Sequence, residues 1–453
     1  MFRFKGVGAL SLVVWLSILG SVGINTPVNP AEGLQSGYRI WPSKAPAGCP
    51  FPSSKDITGV AFSGRHREYA DADTWYPSWA SDGNLYSPFT DGVVNGTRSM
   101  SVGQHATTGQ AKIVGSDPMA LTVFSLGVCE ASSLPYVGRY PSANLLYNGI
   151  WYYGTYALDD AYLETLNCNA CTIGPFVGFR VSYDFGKTWT DTKLTPDEPL
   201  FKESAKGGKK VRMGAPHFVD FGKNMEHSPD GKAYLVAHGA IDPDASESWI
   251  AGDQIYMARV IPTPEHINDA SKWEFFAGFA GGRGPRWSRV FSEIRPIVQW
   301  KGHCGVVTMT YDAGLKKYLM CVADPNGLGG AARSPEHPQA HGVPYSTYLL
   351  ESEEITGPWS LITYMEKFGE QAYFVNIPSK FVSSDGRTAW LCYSNNWTTD
   401  QIANPPGGRY GLCLQEVKFL FGDAKGIPAT EPSPNQWTRS RATVSTHIGL
   451  NYH

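Results

Sequence analysis

Short runs of β-branched and aromatic residues alternate with clusters of Gly, Pro, Asn and Asp along the whole chain, and no long stretch keeps a helical period. That patterning predicts an all-β protein. A weak repeat sits on it: Ser81-Asp-Gly-Asn-Leu-Tyr86, Tyr147-Asn-Gly-Ile-Trp-Tyr152, Pro229-Asp-Gly-Lys-Ala-Tyr-Leu235, Asp312-Ala-Gly-Leu-Lys-Lys-Tyr318 and Ser384-Asp-Gly-Arg-Thr-Ala-Trp390. In each, a turn glycine is followed by a strand that opens on an aromatic or soon reaches one. Sheets recurring at intervals of tens of residues predict a β-propeller. The glycines lie 66, 82, 83 and 72 residues apart. A four-stranded blade needs only about 40–50 residues, so the expectation is seven blades, with five as the alternative.

A sharper mark is Ser182-Tyr-Asp-Phe-Gly-Lys-Thr-Trp189, an Asp-box. Its aspartate can cap the amides of a hairpin turn, its glycine allows the bend, and its tryptophan packs between sheets. It speaks for the fold and not for catalysis.

Gly and Pro are spread evenly, which argues for a single domain, assigned to residues 37–422, ahead of a polar C-terminal tail at 423–453. Arg3 and Lys5 precede an apolar run from Val7 to Leu19 and the small residues Gly20, Ser21 and Gly23. Residues 1–23 therefore read as a cleaved signal peptide, the run being short for a membrane span. The expected product is secreted and free of the membrane. Eight cysteines behind a leader suggest disulfides, with Cys304/Cys321 and Cys392/Cys413 as local pairs and Cys168–Cys171 as a loop staple. The sequons at Asn95 and Asn396 fit an extracellular glycoprotein.

The formal net charge of −3 offers no field to draw nucleic acid. The 14 Trp and 23 Tyr suit sheet packing and sugar stacking alike. No HExxH, P-loop, GxSxG or dinucleotide fingerprint occurs, and no metal or cofactor is expected.

Candidate chemistry concentrates in Gly64–Gly92, where His66, Asp73, Trp75, Tyr76, Trp79 and Asp91 share one stretch. Aromatics beside carboxylates and imidazole suit a sugar ring; the alternative is a loop that seals the first blade. His105 lies in a short polar linker, as an idle surface group or an acid/base group. A hairpin closed over Asp159–Gly174 places Tyr153 opposite Arg180. That pair either holds a carboxylate or stiffens the sheet. Arg212, His217, His238 and Arg295 stand where successive strands are expected to start, near the axis.

The segments Ala72–Gly92, Ala106-Thr-Thr-Gly109 and Gly174-Pro-Phe-Val-Gly-Phe-Arg180 resemble polysaccharide lyase family 42, earlier described as glycoside hydrolase family 145. The likeness extends over most of the mature chain. It implies a seven-bladed propeller that removes L-rhamnose α-1,4-linked to D-glucuronate in arabinogalactan-type glycans, by β-elimination. It further implies His105, Tyr153 and Arg180 as the working set, with His66 as the counterpart of the histidine named in the hydrolase description. Arg212, His217, Arg295, Trp75 and Tyr76 complete the expected site as substrate-binding residues. The expected partner is a polysaccharide or glycoprotein glycan met by a monomer. A hydrolase of the same or another exposed glycoside, and a non-catalytic carbohydrate-binding propeller, are the alternatives.

Overall fold

The computed structural model describes residues 38–159, 172–281, 284–325, 345–369, 371–395, 405 and 407–422. Five antiparallel sheets stand around a central axis. Blade 1 is built from Asp71–Asp73 and Ser78–Trp79 on the inside, then Leu85–Val94, Thr107–Val114 and Thr122–Glu130. Blade 2 comprises Gly138–Tyr147, Ile150–Asp159 and Thr172–Ser182, with a bridge from Val181 to Thr190 beyond the Asp-box turn. Blade 3 begins with Gly214–Phe218, Ala233–Gly239 and Gln254–Val260. Blade 4 is Val307–Asp312, Lys317–Asp324, Ser346–Ser352 and Ser360–Met365. Blade 5 runs Ala372–Asn376, Thr388–Asn395, Leu412–Phe421, and takes Ile57–Tyr69 from the start of the chain as its next strand. That last pairing, from Ile57↔Phe421 to Tyr69↔Leu412, closes the ring and leaves no open gap between the first and last blades.

The propeller therefore has five blades, not seven. Each of the five turn glycines lies in the first connection of one blade, so the repeat interval is the whole blade. The length that suggested two further blades goes into extra strands and loops. Blade 3 alone adds Glu274–Phe279, Pro285–Ser288 and Pro296–Gln299.

The Asp-box forms as its residue types require. The Asp184 carboxylate accepts from the amides of Lys187 (3.1 Å) and Thr188 (2.9 Å) and from the Thr188 hydroxyl (2.7 Å). Trp189 lies against Trp151 and Tyr153, at centroid separations of 5.2 and 5.7 Å. The core is a set of layers between adjacent blades. One joins blades 2, 3 and 4, another blades 4 and 5, and a third blades 5 and 1.

The expected local disulfides do not form. Cys304, Cys321, Cys392 and Cys413 are buried free thiols. Cys392 is registered opposite Leu414, and Cys413 opposite Tyr393. Side chains alternate in direction along a strand, so the two thiols enter different layers. Cys304 and Cys321 are separated in the same way. Cys168 and Cys171 lie outside the described residues.

Candidate active site

The inner strands of the blades start at one face of the propeller. There Tyr76, Tyr156, Ala215, Ile250, Ala251, Val306, Tyr373 and Phe374 form one cluster, with Tyr140 and Trp249 packed against it. Below it the axis narrows to a cavity of about 40 Å³, lined by Tyr76, Asn144, His217, Asp220, Thr308 and Asn376 among others. That is room for a few waters rather than a sugar. A substrate would have to bind at the mouth.

Asp73 is the chemical centre of this face. Its side chain is 7% exposed. Oδ2 accepts from the Tyr373 hydroxyl at 2.5 Å. Oδ1 is buried without a well-formed hydrogen bond. The Tyr410 hydroxyl stands close to the carboxyl but donates to the backbone carbonyl of Asp91 (2.7 Å). Burial pushes the Asp73 carboxyl well above the usual carboxylate range, and the neighbouring Asp91 carboxylate adds to the shift. Tyr373 and Tyr410 oppose it. Asp91 is also raised by burial, while the Ser101 hydroxyl (2.6 Å) and amide (2.7 Å) hold it down. Burial likewise raises Tyr76, Tyr140, Tyr156, Tyr373 and Tyr410, which stay as neutral phenols.

Asp91, Ala215 and Phe374 take φ values of 45°, 40° and 56°. Non-glycine residues in the left-handed region carry strain that surrounding structure must support, and two of these, Ala215 and Phe374, belong to the axial cluster.

The blade 3 loop between Ala233–Gly239 and Gln254–Val260 carries Glu247. It is 1% exposed, with Oε2 accepting from the Val211 amide (3.3 Å) and Oε1 buried without a partner. Burial raises it well above the usual range; Glu203 adds to the shift, and the Val211 amide and Lys210 oppose it. Two residues on, half-buried Trp249 packs at 5.3 Å from Tyr373 and 5.7 Å from Phe374. Among the described residues no group of His, Cys, Asp and Glu is placed to hold a metal ion.

The expected site residues are dispersed over the structure. Tyr76 and His217 do meet on the axis, ring centroids 4.1 Å apart. His217 is 3% exposed and neither ring nitrogen is in a well-formed hydrogen bond. Burial and the nearby His238 lower its pKa to about 3. His238 is fully buried, its Nε2 2.8 Å from the Ser248 carbonyl oxygen, and burial lowers its pKa to about 4.

Tyr153 and Arg180 are cross-strand partners, as the hairpin reading expected. They lie in the layer between blades 1 and 2, where the guanidinium sits 4.5 Å above the Tyr153 ring and the phenol donates to the Gly109 carbonyl. His105 is exposed on the loop before Thr107–Val114. His66 is on the closing strand Ile57–Tyr69, 3.7 Å from Glu68. Trp75 is 1% exposed, donates to the Ala72 carbonyl and fills the layer between blades 5 and 1. Arg212 packs over Phe291 and reaches Glu203. Arg295 is exposed and donates to the Ile294 carbonyl.

No protein-family model matches the chain, and no curated protein matches it. Solved structures resemble it distantly. A putative hydrolase from Bacteroides ovatus ATCC 8483 is 12% identical with a TM-score of 0.44, over 84% of this chain and 93% of that one. The α-L-arabinofuranosidase PaAbf62A from Podospora anserina is 11% identical with a TM-score of 0.38, over 85% and 98%. Zg3597, a family 117 glycoside hydrolase produced by Zobellia galactanivorans, is 10% identical with a TM-score of 0.38, over 84% and 89%. Likenesses this remote assign no activity.

Proposed function

We propose that the chain is a secreted carbohydrate-active enzyme that cleaves a terminal glycosidic linkage at the axial mouth, with Asp73 as its acid/base group. The observation that carries this reading is a buried carboxyl with one oxygen outside any well-formed hydrogen bond, raised above its ordinary pKa and bonded to the Tyr373 phenol, whose ring packs against half-buried Trp249. A carboxyl raised above its ordinary pKa is suited to protonating the leaving oxygen of a glycoside. Glycoside hydrolysis needs a second carboxyl, and Glu247, with its own unpartnered oxygen, is the candidate. Trp249 offers a flat face for the C–H side of a sugar ring.

L-rhamnose α-1,4-linked to D-glucuronate, the linkage suggested by the family resemblance, is the first substrate to try. Free rhamnose without new ultraviolet absorbance indicates hydrolysis; free rhamnose with the absorbance of an unsaturated uronate indicates elimination. Asp73→Asn is expected to lower kcat by roughly 10²–10⁴-fold with KM little changed. A variant that keeps wild-type kcat on a substrate the native protein cleaves refutes the assignment.

A further inference from the structure

The outer edge of blade 1 combines two unused side-chain groups with exposed apolar surface. Thr122–Glu130 is the last strand of that blade, and among the described residues it pairs with Thr107–Val114 alone. On it, Phe124 is 47% exposed and Val128 38%. Asn95 and Gly96 form the tip of the hairpin that links Leu85–Val94 to Thr97–Ser99, with φ values of 48° and 77°. A two-residue turn of this kind favours Asn-Gly, because both residues must take positive φ. The Asn95 Oδ1 accepts from the Ser125 amide at 2.8 Å, which holds the side chain against the Phe124–Ser125 peptide. Asn95 itself is exposed.

The turn explains Asn95 and Gly96, and the Ser125 contact explains Oδ1. Neither explains Thr97. Its hydroxyl takes part in no hydrogen bond among the described residues, and neither does the Asn95 Nδ2. Those are the two groups that make Asn95-Gly-Thr97 an acceptor for an N-linked glycan. The edge gives such a glycan a role. An end strand that exposes aromatic and aliphatic side chains is a template for pairing with another chain, and native proteins blunt or cover such edges.

We propose that Asn95 carries an N-linked glycan, which lies over the open edge of blade 1 at Phe124 and Val128 and keeps copies of the chain from pairing there. The donor is a lipid-linked oligosaccharide diphosphate. The Asn95 Nδ2 bonds to the anomeric carbon of its first sugar, the bond from that carbon to the diphosphate oxygen breaks, the lipid diphosphate leaves, and the amide loses one proton. The Oδ1 bond to Ser125 survives this reaction, because it uses the other atom of the amide. It keeps the first sugar beside Phe124, whose ring offers a flat apolar face. The site rests on passage through a secretory pathway, which the proposed function shares, and not on the chemistry of Asp73.

The full chain, expressed in a eukaryotic secretory host, tests this directly. Protein from the medium is digested to peptides and stripped of N-glycans by a glycosidase in heavy-oxygen water, which marks each formerly glycosylated asparagine by mass. The expected result is a mark at Asn95. Thr97→Ala, which leaves the Asn-Gly turn and the Ser125 contact in place, should abolish it, and Thr97→Ser should retain it. Removing the glycan from the folded native protein should then convert monomer into larger species in light scattering, and Phe124→Lys should prevent that conversion. Secreted protein unmarked at Asn95 overturns the site. A marked protein that stays monomeric after deglycosylation overturns the covering role. A chain recovered from the cytosol alone overturns this proposal together with the secreted reading, whereas a lack of turnover bears on Asp73 and leaves the glycan untouched.

Discussion

The two axial histidines should make the propeller sensitive to mild acid, and the size of the effect follows from their burial. His217 and His238 are held neutral, with pKa values of about 3 and about 4. In the unfolded chain each returns to about 6.5. Below that value the unfolded state binds protons that the folded state refuses, so stability falls as pH falls toward the folded pKa. For one such histidine, the loss between about pH 7 and about pH 4.5 is about 2.5 kcal/mol. The buried carboxyls act in the opposite direction. Asp73 and Glu247 have raised pKa values, so their contribution is full at low pH and is lost as pH rises through the folded pKa. The net curve of the native protein therefore mixes two signs.

The difference between native protein and His217→Gln removes that mixture, because the carboxyls are common to both. Urea unfolding followed by tryptophan fluorescence, repeated across that pH range, gives the stability of each. The native protein should lose about 2.5 kcal/mol more than the variant over the range, whatever constant offset the substitution adds. His238→Gln should behave alike, losing somewhat less because its folded pKa is nearer the end of the range. A difference that stays flat to within about 0.5 kcal/mol refutes the reasoning. It would mean that His217 titrates in the folded protein much as in water, and that the axis is wetter than its packing implies.

Other outcomes follow from single contacts. Gly92→Ala should cost about 1–3 kcal/mol by overpacking, seen as a lower urea midpoint. Its new Cβ would collide with the Asp71 carbonyl and the Ala72 backbone, beside the strand that carries Asp73. Alkylation of the native protein should label Cys49 and Cys129, which are half-buried, and spare Cys304, Cys321, Cys392 and Cys413 until urea is added. Burial raises the thiols of Cys304, Cys321 and Cys413 to about 12, which leaves almost no thiolate to react. Asp73→Asn, besides losing turnover, should gain roughly 0.5–2 kcal/mol at neutral pH, because the amide has no proton to release in the unfolded chain and so removes the stability that a raised carboxyl loses as pH rises.

What the sequence could show was whatever a few neighbouring residues decide. The Asp-box turn and the Tyr153–Arg180 register are local, and both formed as expected. The five turn glycines were read correctly as repeats, yet the spacing between them could not tell blade from elaboration. A strand added to blade 3 consumes chain just as a new blade does. The disulfide expectation failed for a related reason: closeness in a hairpin does not fix which face a side chain takes, and one residue of register put Cys392 and Cys413 on opposite sides.

The candidate site was legible in part. The segment Gly64–Gly92 contained Asp73 and Asp91, but adjacent residues there diverge: Trp75 points into the layer between blades and Tyr76 to the axis. Tyr373 and Tyr410 lie some three hundred residues away. They reach Asp73 because the ring closes through Ile57–Tyr69 on Leu412–Phe421, which brings the start of blade 1 beside the start of blade 5. No local pattern announces a contact made by closure. The closing strand thus has two consequences. It seals the propeller, and it brings to the buried Asp73 carboxyl the phenol that hydrogen-bonds to it, so damage to the closure should reach the chemistry of the pocket before it unfolds the blades.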